Sequence, residues 1–528
     1  MAKLKELEEL LIRGTITRRE FIARVSALGL TAAVSPLLFR SHAQAATPQK
    51  GGRFRLGLAG GSTTDSLDPA TITDMMLQVL NQGQLRNTLV EIDHEARPIP
   101  ELAESWEATP DAKKWVFKLR KGIEFHNGKT MDADDVIYSI NHHRGPDTKS
   151  AAKGIIEAIA DINKDGNETV IFTLKGGNAD FPYIMSDYHL TISPAGSNFL
   201  DGIGTGGYML KDFEPGVRAF AVRNPNYFKP DRARFDEVET LSIPDVNART
   251  NALKTGQIDA MNRCELKTVR FLKHTPGIQV MEQNGFKHYT FAMRCDTAPY
   301  DTNDVRLALK YAIDREQMAK TILRGFGTVG NDHPISQANR YHASDLPQRQ
   351  FDPDKAKFHL QKAGVGDLTF RLHAAEAAFV GAVDAAVLCK EKAAKAGINI
   401  DVVREPNDGY WSNVWMKKPW WAVFWGGRPT EDMMFSTAYA EDASWNDTFW
   451  KNERVNKLLV TARAELDESK RRQMYIEMQG LVRDDGGVVV PMFATDLSAA
   501  NDKIGHGPLA ANWEMDGFRC AERWWFKS

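Results

Sequence analysis

The sequence predicts an α/β protein in which short strands and helices alternate from end to end. Period-2 alternation of polar and apolar residues marks strands at 51–58, 114–119 and 169–174. Helical spacing marks 304–323, with Val305, Leu309, Ala312 and Ile313 on one face and Asp304 as N-cap. A second helix spans 467–482, with Met474, Ile476, Met478 and Leu481 among its apolar residues. No period of 20 to 50 residues repeats, which sets aside solenoids and propellers. The length of 528 residues allows about three compact units.

Composition narrows the class. There are 67 Lys+Arg against 69 Asp+Glu, a net charge of −2, so no general nucleic-acid partner is expected. A hydrophobic fraction of 42% with 26% charged residues is that of an ordinary folded chain, not a disordered one. No run of 18 uncharged apolar residues occurs in the body of the chain, so a multi-span membrane protein is not expected. Cys264, Cys295, Cys389 and Cys520 are widely spaced, with no CxxC pair. That spacing speaks against a zinc ribbon and a disulfide scaffold.

Residues 1–45 are charged, then apolar from Val25 to Phe39, then small and polar at Ala43-Gln44-Ala45. This is the order of a cleaved export signal. Arg18-Arg19 followed by Phe21 resembles the twin-arginine motif, which implies the twin-arginine translocase as partner during export and the periplasm as destination. The competing account is an amphipathic helix that happens to contain Arg-Arg.

Motifs that look catalytic do not hold together. Gly202 to Gly207 fits GxGxxG, but Pro194-Ala195-Gly196-Ser197 precedes it and a strand follows, where a dinucleotide site needs a strand before and a helix after. A tight turn entering a strand is the better account. Gly128-Lys129-Thr130 lacks the first P-loop glycine, the position being Ile123. Asp161 to Gly166 begins like a calcium loop, yet position 12 is Phe172, so a hairpin turn at Asp165-Gly166-Asn167 is expected instead. His142-His143 reads as a solvated surface pair. No catalytic residue, metal site or cofactor is expected.

A longer pattern does hold together. Pro100-Glu101-Leu102-Ala103-Glu104-Ser105-Trp106 is followed by Trp115 to Gly128 and then by Met131 to Ser139. The blocks Thr64–Pro69, Gly204–Tyr208, Arg223–Tyr227, Ala252–Asp259, Tyr311–Glu316 and Phe351–Ala356 recur at matching places. This pattern resembles the family 5 extracellular solute-binding proteins, the dipeptide, oligopeptide and nickel receptors of ABC importers. The resemblance implies a two-lobed periplasmic binding protein fold with a hinge and a subdomain inserted in lobe one. By analogy, lobe one comprises 47–91, 206–288 and 488–528, the inserted subdomain 92–205 and lobe two 289–487. It also implies a monomer that presents its closed, solute-filled form to the permease subunits of the transporter. Within the pattern, Pro98 and Pro100 mark a turn, and Trp106, Trp115, Phe117, Phe125 and Tyr138 are expected in the core of one lobe.

In peptide-binding members an acid near a Trp-Gly segment holds the ligand's amino group. Here that segment is Phe424 to Asp432, with Gly427 at the expected place of the acid and Arg428 beside it; Arg294 replaces a usual Asn. Two arginines in a cleft would favour a carboxylate or phosphate. The alternative is that they pair with acids such as Glu431 or Asp296. Seven of the 12 tryptophans lie between Tyr410 and Trp450. Trp425, beside Gly426 and Gly427, and Trp445, beside Asn446, are the cleft candidates, since indole faces are stacking platforms and glycines admit close approach. Thr64 completes the ligand-binding set. The expected solute is a peptide or other small polar molecule, with an acidic non-peptide solute (opine-like or a sugar conjugate) as the alternative. A periplasmic enzyme or a folding and interaction module stays open as a further alternative.

Overall fold

The computed structural model describes residues 48–366, 368–407 and 410–528. The export signal expected at 1–45 lies outside the described residues. The chain divides into two compact units. In the first, Pro48–Gln49 pairs antiparallel with residues 526 and 527. The second, Lys50–Trp525, carries everything below.

Its frame is a mixed sheet of eleven strands. Two long strands, Ile278–Met293 and Val488–Asn501, run antiparallel through the middle of it. On one side Val488–Asn501 leads to Ala260–Met261, Arg53–Leu58, Glu237–Ser242, Arg218–Arg223 and Tyr208–Glu214. On the other side Ile278–Met293 leads to Trp420–Trp425, Thr369–Ala374 and Asn399–Arg404. Arg53–Leu58 is parallel to both of its neighbours, and Thr369–Ala374 is parallel to Asn399–Arg404. Helices flank these parallel pairs, as crossover connections require. A separate four-stranded antiparallel sheet is built from residues 103–174 in the order Ala103–Ala108, Lys114–Leu119, Thr169–Leu174, Ile159–Lys164.

The long strands do not pair evenly. Asn284 faces Thr495 and His288 faces Phe493, so Gly285, Phe286 and Lys287 stand opposite Ala494 alone. Such a bulge breaks the ladder, bends the strand and re-aims its side chains. It falls between the two central strands of the sheet.

Separate hydrophobic cores form on the four-stranded sheet and on the large one. Around the four-stranded sheet, Trp115, Phe117 and Phe172 are buried with Phe125, and Phe117 meets Phe172 edge-on at 5.5 Å. Trp106 packs against this cluster, while Tyr138 stacks on Phe199 at its edge. On the far side Trp420 and Trp421 are fully buried. Each buried indole removes roughly 150–250 Å2 from water, on the order of 4–6 kcal/mol. Both indole N–H groups lack a partner among the described residues, which offsets about 1–3 kcal/mol each.

Three sequence expectations change. The helix expected over 304–323 is two helices, Asn303–Tyr311 and Arg315–Ile322. Asp314 interrupts it by capping the second, its carboxylate accepting from the Gln317 N–H at 3.0 Å. Asp304 is no N-cap; it lies in the first turn and binds His359 and Lys362. Pro98–Pro100 is not a turn but a strand against Val90–Ile92, with the turn at 93–97. His142 is half-buried and His143 buried, so neither is a free surface side chain. His143 is buried on the Ser150 hydroxyl, and His142 binds Asp68 at 2.7 Å while stacking on Phe199. Among the described residues no helix is long and apolar enough to cross a membrane.

Candidate functional site

The strand bulge opens onto a cavity of about 250 Å3. One wall comes from the first half of the chain, with Met75 and Gln78 on a short helix and Tyr188 beyond it. The facing wall is Phe424, Gly426 and Gly427, at and just past the end of strand Trp420–Trp425. Phe286 and Lys287 from the bulge and Asp496 from the partner strand form the floor, and the stretch 511–514 with Phe518 closes it. Trp513 and Phe518 stack at 5.5 Å, and Tyr188 meets both edge-on. The lining therefore combines aromatic rings with charged groups.

The charges divide into a satisfied pair and two unpaired groups. Arg263 holds Glu514 through Nε at 2.9 Å and Nη2 at 2.8 Å. Lys287 lies over the Phe424 ring at 5.5 Å, and among the described residues it forms no ion pair. Asp496 accepts no hydrogen bond and forms no ion pair among the described residues. Burial first, and then the Glu514 charge, push its carboxyl up to about 7 against the pull of Lys287 and Arg263. A carboxylate kept close to neutrality at the floor of an aromatic cavity suits a group that brings its own positive charge.

The predicted residues distribute unevenly around this cavity. Gly426 and Gly427 line it. Gly427 is there for packing, because a side-chain carbon on it would lie 2.5 Å from Cβ of Phe286. Arg428 folds back so that Nη1 donates to the carbonyls of Gly426 and Gly427, both at 3.1 Å. It has no carboxylate partner among the described residues, and burial holds its guanidinium below the usual value. Trp425, only 5% exposed, turns its ring into a core with Phe435 and Trp450. Trp415 donates to the buried Asp447 at 3.3 Å, and burial raises that carboxyl to about 7. Trp445 is 48% exposed and meets Trp425 at 6.3 Å.

Arg294 is elsewhere. His288 faces Trp425 and Met293 faces Trp420, so Arg294 and Arg428 sit at opposite ends of the same strand pair. There Arg294 binds Asp296 through Nε at 2.9 Å and Nη2 at 2.7 Å and covers the Phe449 ring. Asn446 is committed to its own loop, donating to the carbonyls of Ala440 and Trp450 and accepting from the Thr448 hydroxyl. Thr64 lies in an exposed turn, sharing a hydrogen bond with the Ser62 hydroxyl at 2.9 Å. Sequence reasoning passed over Asp496, Lys287, Tyr188, Trp513 and Phe518. One signal was available, since Asp496 is the one charged residue between Val488 and Ala500.

Away from the cavity lining, segments distant in sequence meet at a buried ion pair. Asp180 is buried against Arg471 at 2.9 Å and Arg340 at 3.3 Å, and the Ala179 N–H donates to the Arg463 carbonyl.

The sequence pattern of the bacterial extracellular solute-binding proteins, family 5, middle region, matches residues 97–447. The chain is 28% identical over 326 residues to heme-binding protein A of Haemophilus influenzae, covering 56% of this chain and 59% of that one. It is 24% identical over 494 residues to di/tripeptide-binding protein 1 of Pseudomonas aeruginosa, covering 86% and 91%. Its fold is similar to that of the binding protein AgaA from A. tumefaciens R10 solved with agropinic acid, with a TM-score of 0.71 at 22% identity over 90% of this chain and 99% of that one. The chain belongs to the family 5 bacterial extracellular solute-binding proteins, the solute-binding components of ABC importers.

Proposed function

We propose that this chain captures a solute of dipeptide size in the cavity between Tyr188 and Gly427 and hands it to the permease subunits of an ABC importer. The cavity carries the reading. It draws its lining from segments far apart in sequence and combines aromatic faces with Asp496 and Lys287, which form no ion pair among the described residues. Its volume of about 250 Å3 is below the roughly 300–1,000 Å3 of drug-sized sites, which suits a small solute. A second cavity of about 720 Å3 shares Ala511 with it and runs past Glu282–Asn284, leaving room for longer solutes.

In this reading 289–487 moves as one lobe against a lobe made of 47–91, 206–288 and 488–528 with its inserted 92–205. The bulge at Gly285–Lys287 is the hinge. The twin-arginine route delivers the protein to the periplasm, where it acts as a monomer. Among peptide and non-peptide solutes, a peptide or an opine-like conjugate fits best, because the unpaired Arg428 beside the cavity offers a guanidinium to a carboxylate. Native mass spectrometry of protein purified from its own periplasm, followed by isothermal titration with the solute found, tests this. A solute without any carboxylate, or none retained and no thermal shift with peptides or opines, contradicts it.

A further inference from the structure

We propose that Asp496 is the anchor for a cationic nitrogen of the solute, taking from the hinge strand the role that an acid at position 427 would have filled. The inference rests on the capture of a solute in this cavity and adds which group recognises it.

Three observations support it. Asp496 lines the cavity, and no protein donor reaches its carboxylate among the described residues, although the other lining acid, Glu514, is held by Arg263 and by the Asn262 amide. Its position is prepared by the bulge. Gly285 belongs to the three residues that share Ala494 as their opposite, and a side-chain carbon there would lie 3.0 Å from Oδ2 of Asp496, so glycine leaves the carboxylate its place. The cations nearby also leave it unmatched, since Arg263 is committed to Glu514 and Lys287 forms no ion pair among the described residues. The charged groups facing Asp496 are Glu514 from the segment 514–517, Lys287 from the bulge and Arg263 after strand Ala260–Met261, and Glu514 acts on it more strongly than either cation. A solute ammonium would complete a charge-assisted hydrogen bond there, beside aromatic faces that also attract cations.

The test pairs free-amine probes with blocked ones. Ala-Phe and glutathione, each with its N-acetylated form, are titrated calorimetrically into wild type, Asp496→Asn and Gly285→Ala. The free-amine probes are expected to bind wild type at least about 30-fold more tightly than their N-acetyl forms, and Asp496→Asn is expected to erase that preference. Affinity of wild type should fall by up to about tenfold per pH unit below neutrality, as binding must expel the carboxyl proton, and the Asn variant should lose this slope. Gly285→Ala keeps the charge but displaces it, so an intermediate loss is expected. It decides the matter if Asp496→Asn fails to fold.

Equal binding of free and acetylated probes, or Asp496→Asn within twofold of wild type, overturns the anchor and leaves the solute-capture reading standing. If neither peptide binds wild type, both readings fall for peptides.

Discussion

A methyl group on Gly427 would lie 2.5 Å from Cβ of Phe286, whereas one on Gly426 would meet nothing nearer than Nη1 of Arg428 at 3.7 Å. Gly427→Ala is therefore expected to destabilise by about 1–3 kcal/mol through overpacking, and Gly426→Ala to leave the thermal midpoint unchanged. Thermal unfolding of the two variants checks this contrast. Arg428 presents the converse case, since its side chain bonds only two carbonyls of its own turn. Arg428→Ala should keep wild-type stability but weaken a carboxylate-bearing solute by about 2–5 kcal/mol, roughly 30- to several-thousand-fold by calorimetry. The Trp-Gly segment stands out in sequence through its indoles and glycines, and two of its glycines line the cavity. It could not tell a ring turned into the core (Trp425) from backbone lining the cavity (Gly426), because both lie at the end of one strand. Arg294 and Arg428 look alike in sequence and part company only through strand register, which no local pattern contains.

At the scale of elements, the short helix Phe181–Ile184 delivers Asp180 to the arginines of the opposite half. Burial alone would raise that carboxyl, but Arg471 and then Arg340 overcome it and hold it below the usual range. Removing one partner of a buried pair leaves the other charge uncompensated, at a cost of about 3–5 kcal/mol. If the pair forms on closure, Asp180→Ala should speed solute release in stopped-flow fluorescence by at least tenfold. Release at the wild-type rate would show that the contact is present in the open form too. Strands were legible to the residue at Lys114–Leu119 and Thr169–Leu174, where alternation is unbroken. The split of the 303–322 helical stretch was not, since Asp314 is polar on either reading and only its bond to Gln317 makes it a cap.

Across the whole molecule, the family pattern between Pro100 and Ser139 proves to be about holding distant segments together. Glu101, 0% exposed, accepts from Asn87, Thr88, Lys229 and Arg519, and Lys229 also bonds Glu91 and Glu522. The three carboxylates lie close enough together to hold a metal ion, but the Lys229 ammonium already bonds all three. Burial works to raise Glu522, yet Lys229 and Arg519 hold it at about 2, below the ordinary 4.5. A depressed acid stabilises the fold above its unfolded value, so stability from this network should be complete above pH 4.5 and drain away as pH falls toward 2. Denaturant titrations across that range check it, and Glu101→Gln should lose about 3–5 kcal/mol at neutral pH. The pairing of Ile278 with Asn501 has a consequence for biogenesis. The two central strands are separated in sequence by the whole stretch 294–487, so the large sheet cannot close until all of that stretch has been made. Long-range pairing of this kind is slow and exposes strand edges in the meantime. A chain threaded unfolded through a membrane would have to survive that interval twice, whereas one exported after folding completes its sheet once, on the side where it was made.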